Sequence, residues 1–160
     1  MQIPAASQKI LVLGIGNPLM GDDGAGIQVT EMLAERELPA EVYVEEAGLP
    51  GWGLPSWFDG ESKVILVDAM QMGQKPGSWR RFSLGDFQMI MENDALSLHK
   101  SDLACGLALS QALNLLPENL LLYGIEPADT SPDATLSHEV RASLPGVVES
   151  IMDDLKRINQ

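Results

Sequence analysis

Three carboxylates lie beside the ends of predicted strands, where side chains can do chemistry. Asp22 and Asp23 follow a glycine-rich loop after the first buried strand, and Asp68 ends a second buried strand. Such carboxylates can take a proton from water or bind a metal ion. Alternatively, Asp22 and Asp23 only complement the positive end of the following helix. One aspartate suffices as a cap and consecutive side chains point differently, so we expect Asp23 to face the cleft.

The position of Asp68 also supports a functional interpretation. It follows four aliphatic residues in the run Lys63–Asp68, which is typical of a strand buried on both faces. Enzymes with open α/β sheets place working groups at the carboxyl ends of such strands. The alternative is a loop aspartate that makes an Asx-turn.

His99 precedes a predicted helix that carries Leu103 and Leu107 on one face, with Ser97 or Ser101 as its cap. A helix N-terminus favours neutral imidazole, which is the form that binds metal. Taken alone, a single histidine is more often structural or exposed than a ligand. Cys105, on the same apolar helix, is expected to be a core thiol.

The first strand, loop and helix must position the paired aspartates. Ile10–Leu13 predicts a buried strand, and the apolar spacing from Ala25 onward predicts a helix. The loop between them therefore lies at the carboxyl edge of a sheet, where ligands bind. A dinucleotide fingerprint is excluded, because Leu19 stands where the third glycine belongs and two carboxylates would repel a pyrophosphate.

The remaining elements complete an alternating pattern of strands and helices. Buried strands imply helices on both faces of a largely parallel sheet. The loop 46–55 carries Trp52, which with Trp57 forms either a cleft rim or a satellite core. The other predictions are a strand near a sheet edge at 41–45, an edge strand at 78–83, mostly irregular chain at 84–96, a buried strand at 119–125, an exposed His138 and a covering helix from Pro145.

Composition predicts one domain over residues 1–160, with residues 1–8 as a loose extension. The absence of a secretion signal or long apolar run, and the single cysteine, predict a cytoplasmic protein. The 10 basic and 23 acidic residues give a net charge of −13, which argues against nucleic acid or anionic membrane as partners. A basic peptide or a cationic metal centre suits this charge better, although acidity also favours solubility alone.

The segment Gly14–Gly26 resembles the hydrogenase maturation endopeptidases, whose pattern is Gly-x-Gly-Asn-x-Leu-x-x-Asp-(Glu/Asp)-x-x-Gly. That family also has an Asp after the strand that ends at Asp68, a His that opens the helix near His99, and the Gly-(Ile/Val)-(Glu/Gln)-Pro motif seen at Gly124–Pro127. The resemblance implies a three-layer α/β/α fold of the phosphorylase/hydrolase-like type, with a mostly parallel twisted sheet of about five strands. Pro18 and an Asp in place of the common Glu at position 23 depart from the pattern.

The resemblance also implies a function. Members of this family remove a C-terminal extension from the large subunit of nickel-iron hydrogenase after nickel insertion. Their residues at Asp23, Asp68 and His99 are thought to contact nickel held by the substrate, with Asp22 and Asn17 as secondary candidates. This ligand set suits nickel, zinc or iron and would bind weakly to the isolated protein. Asp23 or Asp68 would activate the attacking water, or the metal would polarise it.

Two alternatives remain open. A non-enzymatic nickel carrier would use the same three ligands and bind metal tightly by itself. Gly14–Pro18 also resembles the opening of peptidyl-tRNA hydrolase, but that family needs a histidine soon afterwards and none occurs before His99. The expected partner is therefore a hydrogenase large-subunit precursor, and the expected state is a monomer.

Overall fold

A computed structural model describes residues 8–92 and 102–157, which form a five-stranded sheet in the order β2-β1-β3-β5-β4. The strands are β1 Ile10–Ile15, β2 Val42–Gly48, β3 Lys63–Ala69, β4 Trp79–Ser83 and β5 Leu120–Ile125. The pairs β1–β2, β1–β3 and β3–β5 are parallel, and β4 alone pairs antiparallel, with β5. The predicted mostly parallel sheet of about five strands is confirmed, and the strands predicted at 41–45 and 78–83 correspond to its edge strands Val42–Gly48 and Trp79–Ser83.

Helices cover both faces of the sheet. The helices are α1 Ala25–Ala34, α2 Leu84–Glu92, α3 Asp102–Ala112 and α4 His138–Lys156, with 3-10 segments at Gly21–Gly24 and Gly51–Trp57. One apolar cluster joins α1 and α4 to the sheet, and the other joins α2, α3 and the second 3-10 segment. The expected three layers are therefore present. Among the described residues, no helix has the length and apolarity needed to cross a bilayer.

The central strands are apolar on both faces because each face meets a helical layer. In β1, Ile10 and Val12 belong to the α1/α4 cluster, whereas Leu11, Leu13 and Ile15 belong to the opposite cluster. This two-sided burial explains why the strand reads as an uninterrupted apolar run.

The prediction of mostly irregular chain from residue 84 onward is wrong for α2. Ser83 and Asp86 form a reciprocal cap: the Ser83 N–H donates to Asp86 Oδ2, and the Asp86 N–H donates to Ser83 Oγ, both at 3.1 Å. Phe87 is buried, and Ile90 packs against the same apolar cluster. The Ser-x-x-Asp spacing was the available sequence signal, because it is a helix-capping pattern.

Helix α4 begins seven residues before the predicted start at Pro145, at an exposed His138. Ser137 caps it by accepting a hydrogen bond from the Val140 N–H at 3.3 Å. Proline removes one helical donor, but burial of Val140 and Leu144 holds the first two turns against the sheet. Tertiary packing therefore extends the helix through a residue that usually interrupts one.

Helix α1 begins in direct contact with the ends of two strands. A Cβ atom at Gly26 would lie 2.3 Å from the Val67 carbonyl oxygen of β3 and 2.5 Å from the Ile15 carbonyl oxygen of β1. Only glycine permits this approach. The 3-10 turn that precedes α1 is thereby fixed beside the carboxyl end of β3.

Candidate functional site

A cavity of about 550 Å³ opens at the carboxyl edge of the parallel strands. It is bordered by the segments after β1, β2, β3 and β5 and by the start of α3. Its polar lining residues are Asn17, Asp23, Asp68, Gln71, Asp102 and Thr130. Three of these side chains are carboxylates, and none of the described lining residues is basic. The cavity therefore favours a cation or a proton.

Asp23 lies in the 3-10 turn before α1 and is only partly exposed in the cavity. Its Oδ2 accepts a hydrogen bond from the Asn17 N–H at 2.9 Å. Gly16 has φ +131°, and a Cβ atom there would lie 1.9 Å from the Asp23 carbonyl oxygen. The glycine-rich loop thus folds back on Asp23 and orients its carboxylate.

Asp68 lies near the carboxyl end of β3 and lines the same cavity. Burial raises the pKa of Asp68 well above its usual value, and the Asp23 carboxylate raises it further. A hydrogen bond from the Ala69 backbone lowers this pKa in part, whereas Asp102 adds a smaller increase. Asp68 is consequently a carboxylate whose negative charge the protein stabilises poorly.

Asp22 is fully buried and its carboxylate faces the chain that follows β5 rather than the cavity. Its Oδ2 accepts hydrogen bonds from the N–H groups of Ala128 at 2.8 Å and Asp129 at 3.0 Å, and its Oδ1 accepts one from Ser137 at 2.7 Å. Burial by itself would raise the pKa of Asp22, but the three donors outweigh burial and the pKa is lowered. Asp22 therefore fastens the loop 128–137 to the turn that carries Asp23.

Asn17, the other secondary candidate, lines the cavity and shapes the loop. Its Oδ1 accepts a hydrogen bond from the Leu19 N–H at 3.0 Å, which is an Asx-turn, and its carbonyl oxygen accepts from the Met20 N–H at 3.0 Å. Its side chain has a local structural role at the cavity wall.

The motif Gly124–Pro127 contacts the segment that follows Asp68. A Cβ atom at Gly124 would lie 2.5 Å from the Met70 sulfur, so glycine leaves room for a cavity-lining side chain. The buried Glu126 accepts a hydrogen bond from the Met72 N–H at 2.5 Å through Oε2. Both residues hold the segment that follows Asp68.

His99, the third expected metal ligand, lies outside the described residues, as do the two expected caps Ser97 and Ser101. Asp102, where α3 begins, lines the cavity. Within residues 8–92 and 102–157, no group of three or more His, Cys, Asp or Glu side chains could hold a metal ion. The two carboxylates Asp23 and Asp68 are therefore, by themselves, an incomplete ligand set.

Sequence reasoning did not single out Gln71, Asp102 or Thr130 as cavity residues. Position was the available signal for Gln71, which follows β3 closely, and for Asp102, which begins a helix. Trp57 packs against the apolar cluster, as the satellite-core alternative predicts, whereas Trp52 is 67% exposed and is not among the residues that line the cavity. Cys105, expected in the core, is half-buried on α3.

Comparisons with known proteins agree on one family. A family model for hydrogenase maturation protease matches residues 27–154. The chain is 33% identical over 141 residues to the hydrogenase expression/formation protein HupM of Azotobacter chroococcum, covering 87% of this chain and 68% of HupM. It is 31% identical over 123 residues to HupD of Rhodobacter capsulatus, covering 76% of this chain and 59% of HupD.

Solved structures agree with the sequence relatives. The hydrogenase maturating endopeptidase HybD from Escherichia coli matches with a TM-score of 0.79 and 25% identity over 93% of each chain. The nickel-iron hydrogenase maturation protease HybD from Thermococcus kodakarensis matches with a TM-score of 0.75 and 29% identity, over 92% of this chain and 99% of HybD. The chain therefore belongs to the hydrogenase maturation protease family and is a peptidase.

Proposed function

We propose that this peptidase removes a C-terminal extension from the large-subunit precursor of a nickel-iron hydrogenase after nickel has been inserted. The observation that carries the proposal is the meeting of Asp23 and Asp68 in one cavity with no basic lining residue among those described. Burial and the Asp23 charge raise the pKa of Asp68, because both disfavour its negative charge. A cation brought to the cavity would stabilise that charge. Nickel held by the substrate is such a cation.

The incomplete ligand set suits a metal that arrives with the substrate. Asp23 and Asp68, joined by His99, would supply oxygen and nitrogen donors that suit nickel. Free nickel would bind weakly to so few groups, whereas nickel already coordinated by the precursor needs only the remaining positions filled. Recognition would then depend on whether the precursor carries its metal.

The same carboxylates can serve hydrolysis. Asp23 or Asp68 would accept a proton from a water molecule as its oxygen attacks the scissile carbonyl carbon. The C–N bond then breaks, the accepted proton passes to the departing amine, and the cut ends are a carboxylic acid and a free amine. Nickel in the precursor would polarise the water or the carbonyl.

The direct test incubates the protein with a large-subunit precursor from the same source, either nickel-loaded or nickel-free, and follows the precursor mass. We expect loss of a C-terminal peptide only from the nickel-loaded form, and none with Asp68→Ala. Cleavage of both forms would retain the protease and contradict recognition through nickel. No cleavage of either form would contradict the proposed reaction.

The alternatives differ in measurable ways. A nickel carrier predicts tight nickel binding by the isolated protein, but a peptidase family gives that role no support. The comparisons likewise give no support to a peptidyl-tRNA hydrolase. We further propose that the enzyme works as a monomer in the cytoplasm, since a monomer can reach a tail on a large partner.

A further inference from the structure

Strand β2 is an outer strand of the sheet, and in the described chain it pairs only with β1. The Ile10 N–H donates to the Glu41 carbonyl oxygen at 2.9 Å, which fixes which residues of β2 turn toward β1. Because backbone groups alternate along a strand, those of Val44 and Glu46 face away from the sheet, as does the Val42 carbonyl oxygen, whereas the Val42 N–H already donates to the Pro39 carbonyl oxygen at 3.0 Å. Such a row of outward N–H and C=O groups is a template for one more strand.

The side chains in the carboxyl half of this edge are acidic, whereas at its amino half the Lys9 Nζ lies over the Tyr43 ring, 5.0 Å from the ring centroid. A groove of about 440 Å³ between β2 and α1 is lined by Glu31, Glu45 and Glu46, and none of its described lining residues is basic. Two copies of such an edge repel each other, which discourages pairing of the protein with itself. A strand that carries lysine or arginine is attracted instead.

The opposite edge of the sheet carries the reverse charge. Strand β4 exposes Arg80 and Arg81, and Arg81 also donates two 2.8 Å hydrogen bonds to Asp154. A basic strand is therefore directed to β2 rather than to β4.

The carboxyl end of β2 leads into the cavity. The Gly16 N–H donates to the Gly48 carbonyl oxygen at 2.8 Å, so this end is tied to the loop that positions Asp23. Leu49, the next residue, lines the cavity and is 56% exposed. A chain that leaves the cavity past Leu49 thus meets the free edge of β2 directly.

We propose that the outer edge of β2 binds the C-terminal extension of the substrate as an added strand that bears lysine or arginine and runs antiparallel to β2. This inference rests on the proposed function, because it places the scissile bond at Asp23 and Asp68. The extension continues beyond that bond, away from the carboxyl edge, along Gly48 toward Val44. Its length against β2 is about 13 Å, the span of some four extended residues.

The first test reverses the charge of the edge. Glu45→Lys combined with Glu46→Lys is expected to raise KM for the nickel-loaded precursor at least tenfold, with kcat within about twofold. The matched control, Glu118→Lys with Asp153→Lys, changes the charge equally at exposed positions away from β2 and is expected to leave KM within about twofold. The difference should fade in about 0.5 M salt. An unchanged KM in the β2 variant would overturn the inference.

The second test removes a backbone donor. Glu46→Pro deletes an outward N–H, which an edge strand tolerates, and is expected to raise KM beyond the effect of the control Glu46→Gln, which only removes the charge. Because the lost group is neutral, the extra effect should persist in high salt. Equal KM values for the two variants would contradict strand addition.

Amide hydrogen exchange separates this inference from the proposed function. On addition of nickel-loaded precursor, exchange of the outward amides of Val44 and Glu46 is expected to slow, whereas exchange at Tyr43 and Glu45, already turned toward β1, and at Val42, already bonded to Pro39, changes little. Cleavage without this protection would overturn the edge site and leave the proposed function intact. Protection without cleavage would retain the edge site as a docking surface and contradict the reaction, and neither effect would contradict both.

Discussion

The pocket around Asp22 and the cavity around Asp23 and Asp68 treat negative charge in opposite ways, although Asp22 and Asp23 are neighbours in the chain. Asp22 receives three backbone N–H donors, and its pKa falls despite complete burial. The pKa of Asp68 is raised by burial and by Asp23, and the hydrogen bond from the Ala69 backbone lowers it only in part. The supply of donors, rather than burial, separates the two carboxylates.

This contrast shows how one loop can serve structure and chemistry at once. A carboxylate that already accepts three N–H hydrogen bonds has little capacity left for a ligand. A carboxylate with few donors retains a negative potential that a proton or a cation can satisfy. The Asp22 pocket therefore holds the loops in place, and the Asp68 cavity keeps its binding capacity for the substrate.

The largest effect is expected from Asp68→Asn, which removes the poorly stabilised charge while keeping the side-chain shape. Precursor cleavage should fall by roughly 10³-fold, equivalent to about 4 kcal/mol in activation free energy. The free energy of unfolding at neutral pH should rise by on the order of 1 kcal/mol, because an unfavourable charge is gone. Mass spectrometry of the product and urea unfolding check both. Retained cleavage, or a clear loss of stability, would place Asp68 with the structural carboxylates.

Asp22→Ala should show the opposite pattern. It leaves the N–H groups of Ala128, Asp129 and Ser137 without their charged acceptor, and we expect the free energy of unfolding to fall by about 3 kcal/mol. Urea unfolding measures this loss, with the exposed Asp153→Ala as the matched control. Cleavage by the fraction that remains folded should persist. A drop in stability no larger than that of the control would refute the fastening role of Asp22.

The pH dependence of stability should separate the same two residues. The lowered pKa of Asp22 stabilises the fold above the unfolded value of 3.8, and this contribution is lost as the pH falls through the folded pKa. The raised pKa of Asp68 has the opposite effect on stability. Its stabilising contribution is fully present below pH 3.8 and is lost as the pH rises through the folded pKa.

Melting temperatures measured from pH 3 to pH 8 would test this linkage. The melting temperature of Asp22→Asn should lie below that of the parent protein, by a difference that shrinks as the pH falls. The melting temperature of Asp68→Asn should lie above that of the parent protein, and this difference should vanish at acidic pH, because the parent side chain is then protonated. Parallel curves for the parent and both variants would contradict the opposite shifts.

The smallest effect is expected at Asp102, whose charge is a minor contributor to the raised pKa of Asp68. Asp102→Asn should lower that pKa and move the acidic limb of kcat/KM by a few tenths of a pH unit toward acid, since exposed charges interact weakly through water. Cleavage at the optimum should change by no more than about threefold. A loss comparable to that of Asp68→Asn would make Asp102 a direct participant in the reaction.

The strands and the first helix could be predicted because their signals are local. The aliphatic runs in β1, β3 and β5 and the apolar spacing in α1 result directly from burial between layers. The loop and its paired aspartates were found by the same local means. By contrast, α2 depends on a short cap and one buried face, and the start of α4 depends on packing that outweighs Pro145.

The roles of Asp22 and Asp68 depend on contacts between distant parts of the chain. The alternation of side-chain directions indicated that one aspartate of the pair faces the cleft, and Asp23 does line the cavity. The three donors of Asp22 lie between 106 and 115 residues away, so no local pattern could reveal them. Asp102 lines the cavity because of how α3 packs, which is likewise a contact between distant parts of the chain.

The hydrogen bonds of Asp22 also determine when, during synthesis of the chain, the turn that carries Asp23 can be fastened. A ribosome releases the N-terminal part first, so β1, the glycine-rich loop and α1 emerge while residues 128–137 are still unmade. Until those N–H groups arrive, the turn that carries Asp23 lacks its anchor. A nascent chain that ends before residue 137 therefore lacks the complete set of hydrogen bonds that fastens the turn carrying Asp23.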